Sequence, residues 1–152
     1  MRIRPLQRTR SEQRTVLVQC LPALDVVTPC LLRRVAQALS ATQAAQLQDD
    51  VQIVIAEAVN NIVEHAYAGQ SLGALVLHMT VSGTSLEIVL LDWGRPFPHP
   101  DAPPTLPDPC GLSEGGYGWL LIRSLVSHVC HSRDAGKNRL SLTFSLPDPR
   151  PA

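Results

Sequence analysis

The sequence lacks an excess of charge of either sign, because 13 Lys and Arg residues balance 13 Asp and Glu residues. A net charge near zero gives no support for binding to nucleic acid or to a membrane surface. Several arginines do cluster within residues 1–14, and a short basic arm of this kind is more often a solvated tail than a binding site. We therefore expect an arm over residues 1–14 and no nucleic-acid partner.

Long apolar runs and paired cysteines are also absent. No run is long enough to span a bilayer and the polar N-terminus has no signal-peptide core, so we expect a cytoplasmic protein with no membrane partner. The 4 cysteines have no C-x-x-C spacing, so neither a disulfide framework nor a zinc site is indicated. His128 and His131 flank Cys130, which is more typical of a strand edge than of a set of metal ligands.

The apolar pattern predicts one domain, since 152 residues suffice to bury a sizeable core. Runs of β-branched and apolar residues predict strands at residues 15–21, 74–81, 85–93 and 139–146. Residues 82–84 make a tight connection between the second and third of these strands. Together with three helical segments, the strands predict an α+β two-layer sandwich, with a mixed, mostly antiparallel sheet and three helices on one face.

The three helices are predicted from capping residues and apolar spacing. Thr28 as N-cap and Pro29 at the first helical position begin the first helix, whose expected buried residues are Leu31, Leu32, Val35 and Leu39. Asp49 and Asp50 supply an N-cap and negative charge to a second helix that extends to about Tyr67, and Gly69 can end it. The third follows Gly118, with Leu120, Leu121, Leu125 and Val126 as its expected buried residues.

The second helix has two distinct sides. An apolar stripe recurs at helical spacing and consists of Val51, Ile55, Ala58, Ile62 and Ala66. The polar residues Glu57, Asn61, Glu64 and His65 are spaced so that they gather on another side. Taken alone, this arrangement is typical of a half-exposed helix.

Three short motifs indicate a nucleotide site when they are taken together. Glu57 and Asn61 place a carboxylate and an amide one helical turn apart, as a site that holds a cation and polarises a nucleophile requires. Asp92 and Gly94 follow a strand, where an aspartate can accept a hydrogen bond from an adenine amino group. Gly116 and Gly118 open a helix and offer backbone N–H groups to phosphates. Singly, these are better explained as a solvated helix face, a hairpin end and a helix-entry turn.

The order EAVNNIVEHAY, DWGRPF, a proline-rich segment and GGYGWLLIRSL resembles the anti-sigma factor serine kinases, small members of the GHKL ATPase superfamily. The resemblance covers nearly the whole chain, and it implies the histidine-kinase-like ATPase fold. It implies Glu57 as general base, Asn61 as the magnesium-binding residue and Asp92 as the adenine-binding residue. Gly94 matches the glycine beside that aspartate.

Gly116 and Gly118 match the family's second glycine box, which closes on the phosphates. His65 and Tyr67 match a His-x-Tyr pair, to which we assign only a part in shaping the pocket. Residues 95–115 fall where the family has its ATP lid, within a kinase domain that we place at residues 15–147, followed by a tail over residues 148–152. Departures from the family pattern are Trp119 in place of a usual leucine, Ser127-His128 in place of Asp-Glu, and the high proline content of the lid.

The resemblance implies a serine/threonine-protein kinase of a bacterial partner-switching system that uses ATP and Mg²⁺. Its expected partners are a small antagonist protein that carries the target serine, and a sigma factor or a replacement regulator. A homodimer is also possible, with Leu75 and Leu77 as candidate interface residues. Two alternatives stay open: a binding protein for which ATP is a structural ligand or absent, and the ATP-binding domain of a sensor histidine kinase. A gyrase- or chaperone-like ATPase is disfavoured, because it needs further domains.

Overall fold

The computed structural model describes residues 12–68, 73–96 and 117–148. Within them, five strands form one sheet in the order β1-β2-β3-β5-β4, and all the neighbouring strands are antiparallel. The strands are β1 (Arg14–Pro22), β2 (Ala74–Val81), β3 (Ser85–Asp92), β4 (His128–Asp134) and β5 (Lys137–Ser145). The predicted α+β sandwich is confirmed, and the described sheet contains no parallel pair.

Three helices pack on one face of this sheet. They are α1 (Thr28–Ser40), α2 (Gln48–Asn61), which continues into a π-helical turn (Ile62–Ala66), and α3 (Tyr117–Leu125). The core joins side chains from all three helices to alternate residues of the central strands. Alternation places every second strand side chain against the helices, so that burial of the apolar helix stripes holds the two layers together. No helix in the described part of the chain combines the length and the apolar content that crossing a membrane requires.

Both predicted N-caps are wrong. The N-cap residue of α1 is Val27, and that of α2 is Leu47, and neither makes a side-chain capping bond. Short 3₁₀ turns, Asp25–Val27 and Ala45–Leu47, precede the two helices, so the backbone is already helical where they begin. A capping side chain needs an extended residue at that point, and none is available. Asp49 and Asp50 do lie in the first turn of α2, where negative charge is favourable.

The buried side of α3 also differs from the prediction. Ile122 is fully buried, whereas Leu121 is 39% exposed, and Leu120, Leu125 and Val126 are half-buried. Ile122 follows Gly118 by four residues, so both lie on the side of α3 that packs on α2. In α1, Leu31, Val35 and Leu39 are buried as predicted, while Leu32 is half-buried.

The suggested dimer contacts are contradicted by the sheet. Leu75 and Leu77 are fully buried in the core, because the alternation of β2 points them at the helices. They therefore offer no surface to a second subunit. The predicted lid lies outside the described residues except at its first two positions, and Gly69, the first residues of the basic arm and the end of the C-terminal tail also lie outside them.

Candidate nucleotide site

The apolar stripe of α2 positions the site. All five stripe residues, from Val51 to Ala66, are buried in the core, as predicted. The helix changes from α to π geometry after Asn61, and a π turn accommodates an extra residue, which alters the direction of the side chains that follow. Glu64 and His65 are exposed, whereas Asn61 is buried and Glu57 is half-buried. Glu57 and Asn61 are thus the two of the four polar residues that lie nearest the interior, and the gathering of all four on one side stays a prediction.

Glu57, Asn61 and Gly118 converge where α3 packs on α2. A Cβ atom built on Gly118 would lie 2.6 Å from Glu57 Oε2 and 3.9 Å from Asn61 Nδ2. A side chain at position 118 would therefore displace the carboxylate, whereas glycine leaves Glu57 where it lies. Two motifs separated by some sixty residues of sequence are thus brought to one place. Gly116, the other predicted glycine, lies outside the described residues.

Asn61 carries an unsatisfied polar group. Its side chain is 6% exposed, and Nδ2 is buried without a hydrogen-bond partner among the described residues. Leaving a buried amide unpaired costs about 1–3 kcal/mol, which a bound ligand would recover. Because amide nitrogen and oxygen are assigned from their surroundings, a half-turn of the amide presents Oδ1 at the same point. Either orientation gives the site a polar atom that a ligand can use.

Asp92, at the end of β3, is held by two hydrogen bonds. The side chain is 1% exposed, and Oδ1 accepts the backbone N–H of Gly94 at 2.9 Å and the Asn138 amide at 2.8 Å. Asn138 lies directly opposite Asp92 in the pairing of β3 with β5. The carboxylate predicted to accept an adenine amino group is therefore buried and held in a fixed orientation.

The Asp92–Arg95 turn packs directly on the end of α2. A Cβ atom on Gly94 would lie 2.6 Å from the carbonyl carbon of Ala66, and the Arg95 N–H donates to the Ala66 carbonyl at 2.7 Å. Ala66 ends the π turn that begins just after Asn61. The helix end therefore connects Asn61 to the turn that carries Asp92 and Gly94.

Tyr67 has a bonding role that sequence reasoning missed. Its hydroxyl donates to the Ala74 carbonyl at 2.5 Å and accepts the Trp93 N–H at 2.9 Å. The buried ring thereby joins the end of the helix to the start of β2 and to the residue that follows β3. The sequence offers one signal for this role, because Tyr67 directly follows Ala66, the last residue of the apolar stripe.

Asn138 and Arg133 were missed as well. Arg133 donates to the Asn138 side-chain oxygen at 2.7 Å and to the Gly94 carbonyl at 2.9 Å. Neither residue belongs to a recognisable motif, and both lie beside the turn because β5 pairs with β3, a strand that is not adjacent to it in sequence. No local sequence signal identifies them.

A cleft of about 460 Å³ opens beside Glu57. One side of it is the start of α1 with the turn before it, and the other side is α2. Its lining residues are Asp25, Thr28, Pro29, Leu32, Ala56, Glu57 and Asn60. Glu57 thus contacts Gly118 and also borders a space large enough for a segment of another molecule.

The donor set around Asn61 is compatible with a magnesium ion that is bound mainly through phosphates. In the described ranges, no cluster of three or more His, Cys, Asp or Glu side chains is arranged to hold a metal ion. Mg²⁺ commonly binds through one or two protein oxygens together with substrate phosphates and water. The unsatisfied amide of Asn61 can supply one such oxygen.

Residues 22–144 match the family described as the histidine kinase-like ATPase domain. The chain belongs to this family of ATPase domains, since the match covers most of its length and includes Glu57, Asn61, Asp92, Gly94 and Gly118.

The chain is similar to serine-protein kinases named RsbW. It is 33% identical over 94 residues to that of Bacillus licheniformis, a match that covers 58% of this chain and 59% of the relative. It is 32% identical over 96 residues to that of Staphylococcus epidermidis, where the match covers 58% of this chain and 60% of the relative. The resemblance to anti-sigma factor serine kinases is confirmed by these relatives, although the chain spans only about 59% of their length.

Solved structures support the fold. The RsbU and RsbW domains of a Mycobacterium tuberculosis protein match with a TM-score of 0.55 and 20% identity, covering 87% of this chain and 32% of that one. The histidine kinase domain of a blue-light activated histidine kinase from Erythrobacter litoralis matches with a TM-score of 0.54 and 18% identity, covering 78% of this chain and 61% of that one. Identities this low show a shared fold and nothing further.

Proposed function

We propose that this protein is an ATP-dependent serine/threonine-protein kinase of a bacterial partner-switching system. One observation carries the proposal: the Glu57 carboxylate lies against Gly118 and near Asn61, at the N-terminal end of a helix, where phosphates bind favourably. The similarity to serine-protein kinases named RsbW supports the same activity. Its substrate would be a small antagonist protein with a serine or threonine hydroxyl.

Glu57 would act as the general base. It accepts the proton of the substrate hydroxyl as that oxygen forms a bond to the γ-phosphorus of ATP, while the bond from this phosphorus to the β-γ bridging oxygen breaks and ADP leaves. The backbone N–H groups at the start of α3, beside Gly118, stabilise the charge that develops on the phosphoryl oxygens. The close packing of Gly118 on Glu57 keeps the base and these donors at one reacting centre.

Asn61 and Asp92 would bind the two ends of the nucleotide. A bound Mg²⁺ ion neutralises part of the negative charge of the triphosphate. Asn61 would offer its buried amide to the ion and to the phosphates, which accounts for an atom that otherwise has no partner among the described residues. Asp92 would accept a hydrogen bond from the adenine amino group, and Gly94, which has no Cβ, lets the turn that carries Asp92 pack on Ala66.

The cleft beside Glu57 would admit the protein substrate. It is bordered by Glu57 and is large enough for several side chains. A hydroxyl that enters this cleft would approach the Glu57 carboxylate, which is part of its wall. Sequestration of a sigma factor or a replacement regulator, implied by the resemblance, would use other surface residues and is compatible with this arrangement.

The experiment is phosphate transfer to a purified antagonist protein by the wild type and by Glu57→Gln. Glutamine preserves size but cannot accept the proton, so we expect transfer to fall by about 10²–10⁴-fold while Mg-ATP affinity and antagonist binding persist. Glu64 is exposed and lies in the π turn after α2. Glu64→Gln is therefore the control and should transfer phosphate at the wild-type rate.

Two outcomes would contradict the proposal. Wild-type transfer by Glu57→Gln would remove this residue as the base. An absence of transfer by the wild type, together with tight binding of the antagonist or a sigma factor, would favour the binding-protein alternative, in which ATP is at most a structural ligand.

A further inference from the structure

Two residues of β4 and β5 form a clamp beneath the Asp92–Arg95 turn. Asn138 is 1% exposed, and its Nδ2 donates to Asp92 Oδ1 at 2.8 Å and to the Arg95 carbonyl at 2.9 Å. Arg133 Nη1 donates to Asn138 Oδ1 at 2.7 Å and to the Gly94 carbonyl at 2.9 Å. The two clamp residues, Arg133 and Asn138, are partners in the pairing of β4 with β5.

The contacts fix the orientation of the Asn138 amide. Its oxygen faces a guanidinium, which only donates, while its nitrogen faces a carboxylate and a carbonyl, which only accept. A half-turn of the amide would place donor against donor and acceptor against acceptors. The arrangement therefore leaves Asn138 one orientation, and that orientation directs a donor at Asp92.

The clamp also links a positive charge to a buried negative charge. Arg133 polarises the Asn138 amide by donating to its oxygen, and the amide nitrogen becomes a stronger donor to the carboxylate. Charge-assisted hydrogen bonds are about twice as strong as neutral ones. The buried Asp92 carboxylate is thus stabilised by a cation that does not touch it.

We propose that Arg133 and Asn138 are positioning residues that hold Asp92 and the turn after it in the geometry for recognising the adenine base. This inference rests on the proposed function, because it assigns the purpose of the clamp to nucleotide recognition. The side-chain hydrogen bonds of Arg133 go to the turn and to Asn138, and its side chain supplies none of the backbone hydrogen bonds that pair β4 with β5. Its removal should therefore alter the binding of the base while the sheet stays folded.

The test compares Arg133→Met, which keeps the length of the side chain and removes its donors, with Arg133→Lys, which keeps a charged donor. Arg139→Met is the matched control, because Arg139 is an exposed arginine of β5 that lies opposite Ser132 in the same strand pair. Affinities for Mg-ATP and Mg-GTP are measured by calorimetry, and thermal unfolding is recorded for each variant.

For Arg133→Met we expect the affinity for ATP, and the ratio of the ATP affinity to the GTP affinity, to fall about tenfold, as the loss of hydrogen bonds that involve charged groups implies. Arg133→Lys should recover most of the ratio, and Arg139→Met should leave it unchanged. An ATP-to-GTP ratio within twofold of the wild type in Arg133→Met would overturn the proposal.

A second measurement needs no nucleotide and separates this proposal from the proposed function. Hydrogen exchange of the Gly94 amide, which donates to Asp92 Oδ1, should become at least about tenfold faster in Arg133→Met, but not in Arg139→Met.

The outcomes separate the two proposals. If the wild type binds no ATP, the proposed function is wrong, and unchanged exchange at Gly94 would overturn the clamp as well. If ATP binds and both selectivity and exchange are unchanged, only the clamp is overturned. Faster exchange with unchanged selectivity also overturns it, since the clamp would then serve stability alone.

Discussion

The two ends of the candidate site differ in how completely their polar groups are paired. At the base end, Asp92, Asn138 and Arg133 form a connected set of hydrogen bonds around the turn at Gly94. At the phosphate end, the buried Nδ2 of Asn61 has no partner among the described residues, and Glu57 borders an open cleft.

This contrast indicates that the two ends serve binding in different ways. The base end is preorganised, so a ligand pays little ordering cost there. The phosphate end is incomplete, so a ligand gains by satisfying a group that the fold leaves unpaired. Substitutions at the phosphate end should therefore cost more binding and transfer than substitutions that loosen the base end.

The largest effect on nucleotide affinity is expected from Asn61→Ala, which removes the unsatisfied amide. Mg-ATP affinity should fall by at least about 100-fold, the upper range for disturbing the surroundings of a bound metal, and transfer should fall with it. Calorimetry measures the first and phosphate incorporation the second. Asn60 is an exposed amide one position earlier, so Asn60→Ala is the control for nucleotide affinity. Equal Mg-ATP affinities in Asn61→Ala and Asn60→Ala would show that Asn61 is not part of the site.

Gly118→Ala should act on transfer more than on affinity. The added Cβ would lie 2.6 Å from Glu57 Oε2, and displacing a catalytic group by about 1 Å costs on the order of 100-fold in rate. Phosphate transfer is the measurement. Gly136→Asn is the control, since nothing lies within 4 Å of that position and asparagine tolerates positive φ. Wild-type transfer by Gly118→Ala would mean that Glu57 need not occupy this position.

Asp92→Asn should weaken adenine recognition by about ten- to a hundredfold, because an amide replaces one acceptor by a donor and a charged hydrogen bond is lost. The comparison is the ratio of ATP to GTP affinity in this variant and in Asp134→Asn, an exposed change in β4. Preserved preference for ATP in Asp92→Asn would show that the base is recognised elsewhere.

Tyr67→Phe should have the smallest effect on the site and a visible effect on stability. It deletes a hydroxyl that bonds both Ala74 and Trp93, and we expect the free energy of unfolding to fall by about 1–3 kcal/mol. Urea denaturation measures the change. Tyr117→Phe, at a side chain that is 57% exposed, should be neutral. Equal stability of the two variants would show that the buried hydroxyl contributes nothing.

Much of the fold could be predicted from local patterns. The α2 stripe from Val51 to Ala66 and the alternation in β2 and β3 are properties of neighbouring residues, so periodicity alone indicates them. Glu57, Asn61 and Gly118 could be selected as site residues for a similar reason: each lies at a defined point of a helix. Their convergence could not be derived from spacing, because it depends on how α3 packs on α2.

The failures have a common physical origin in longer-range or irregular geometry. Asn138 reaches Asp92 only through the pairing of β3 with β5, which are not adjacent in sequence, and Arg133 reaches the turn because β4 pairs with β5. The π turn after Asn61 was missed because a regular helix was assumed up to Tyr67. The N-caps were wrong because the 3₁₀ turns that precede α1 and α2 make the entering backbone helical.

The π turn that ends α2 acts as a spacer of defined length between the two ends of the site. It carries one residue more than a regular turn needs, and it brings the Ala66 carbonyl to the Arg95 N–H. Deleting one residue, for example Val63, would convert the π turn into a regular α turn, because the wider turn takes up the extra residue without rotating the chain that follows it. The directions of the side chains within the turn would then change, whereas Asn61 and Ala66 would keep nearly the same orientation about the helix axis. The π turn therefore sets which side chains between Asn61 and Tyr67 face the core and which face solvent.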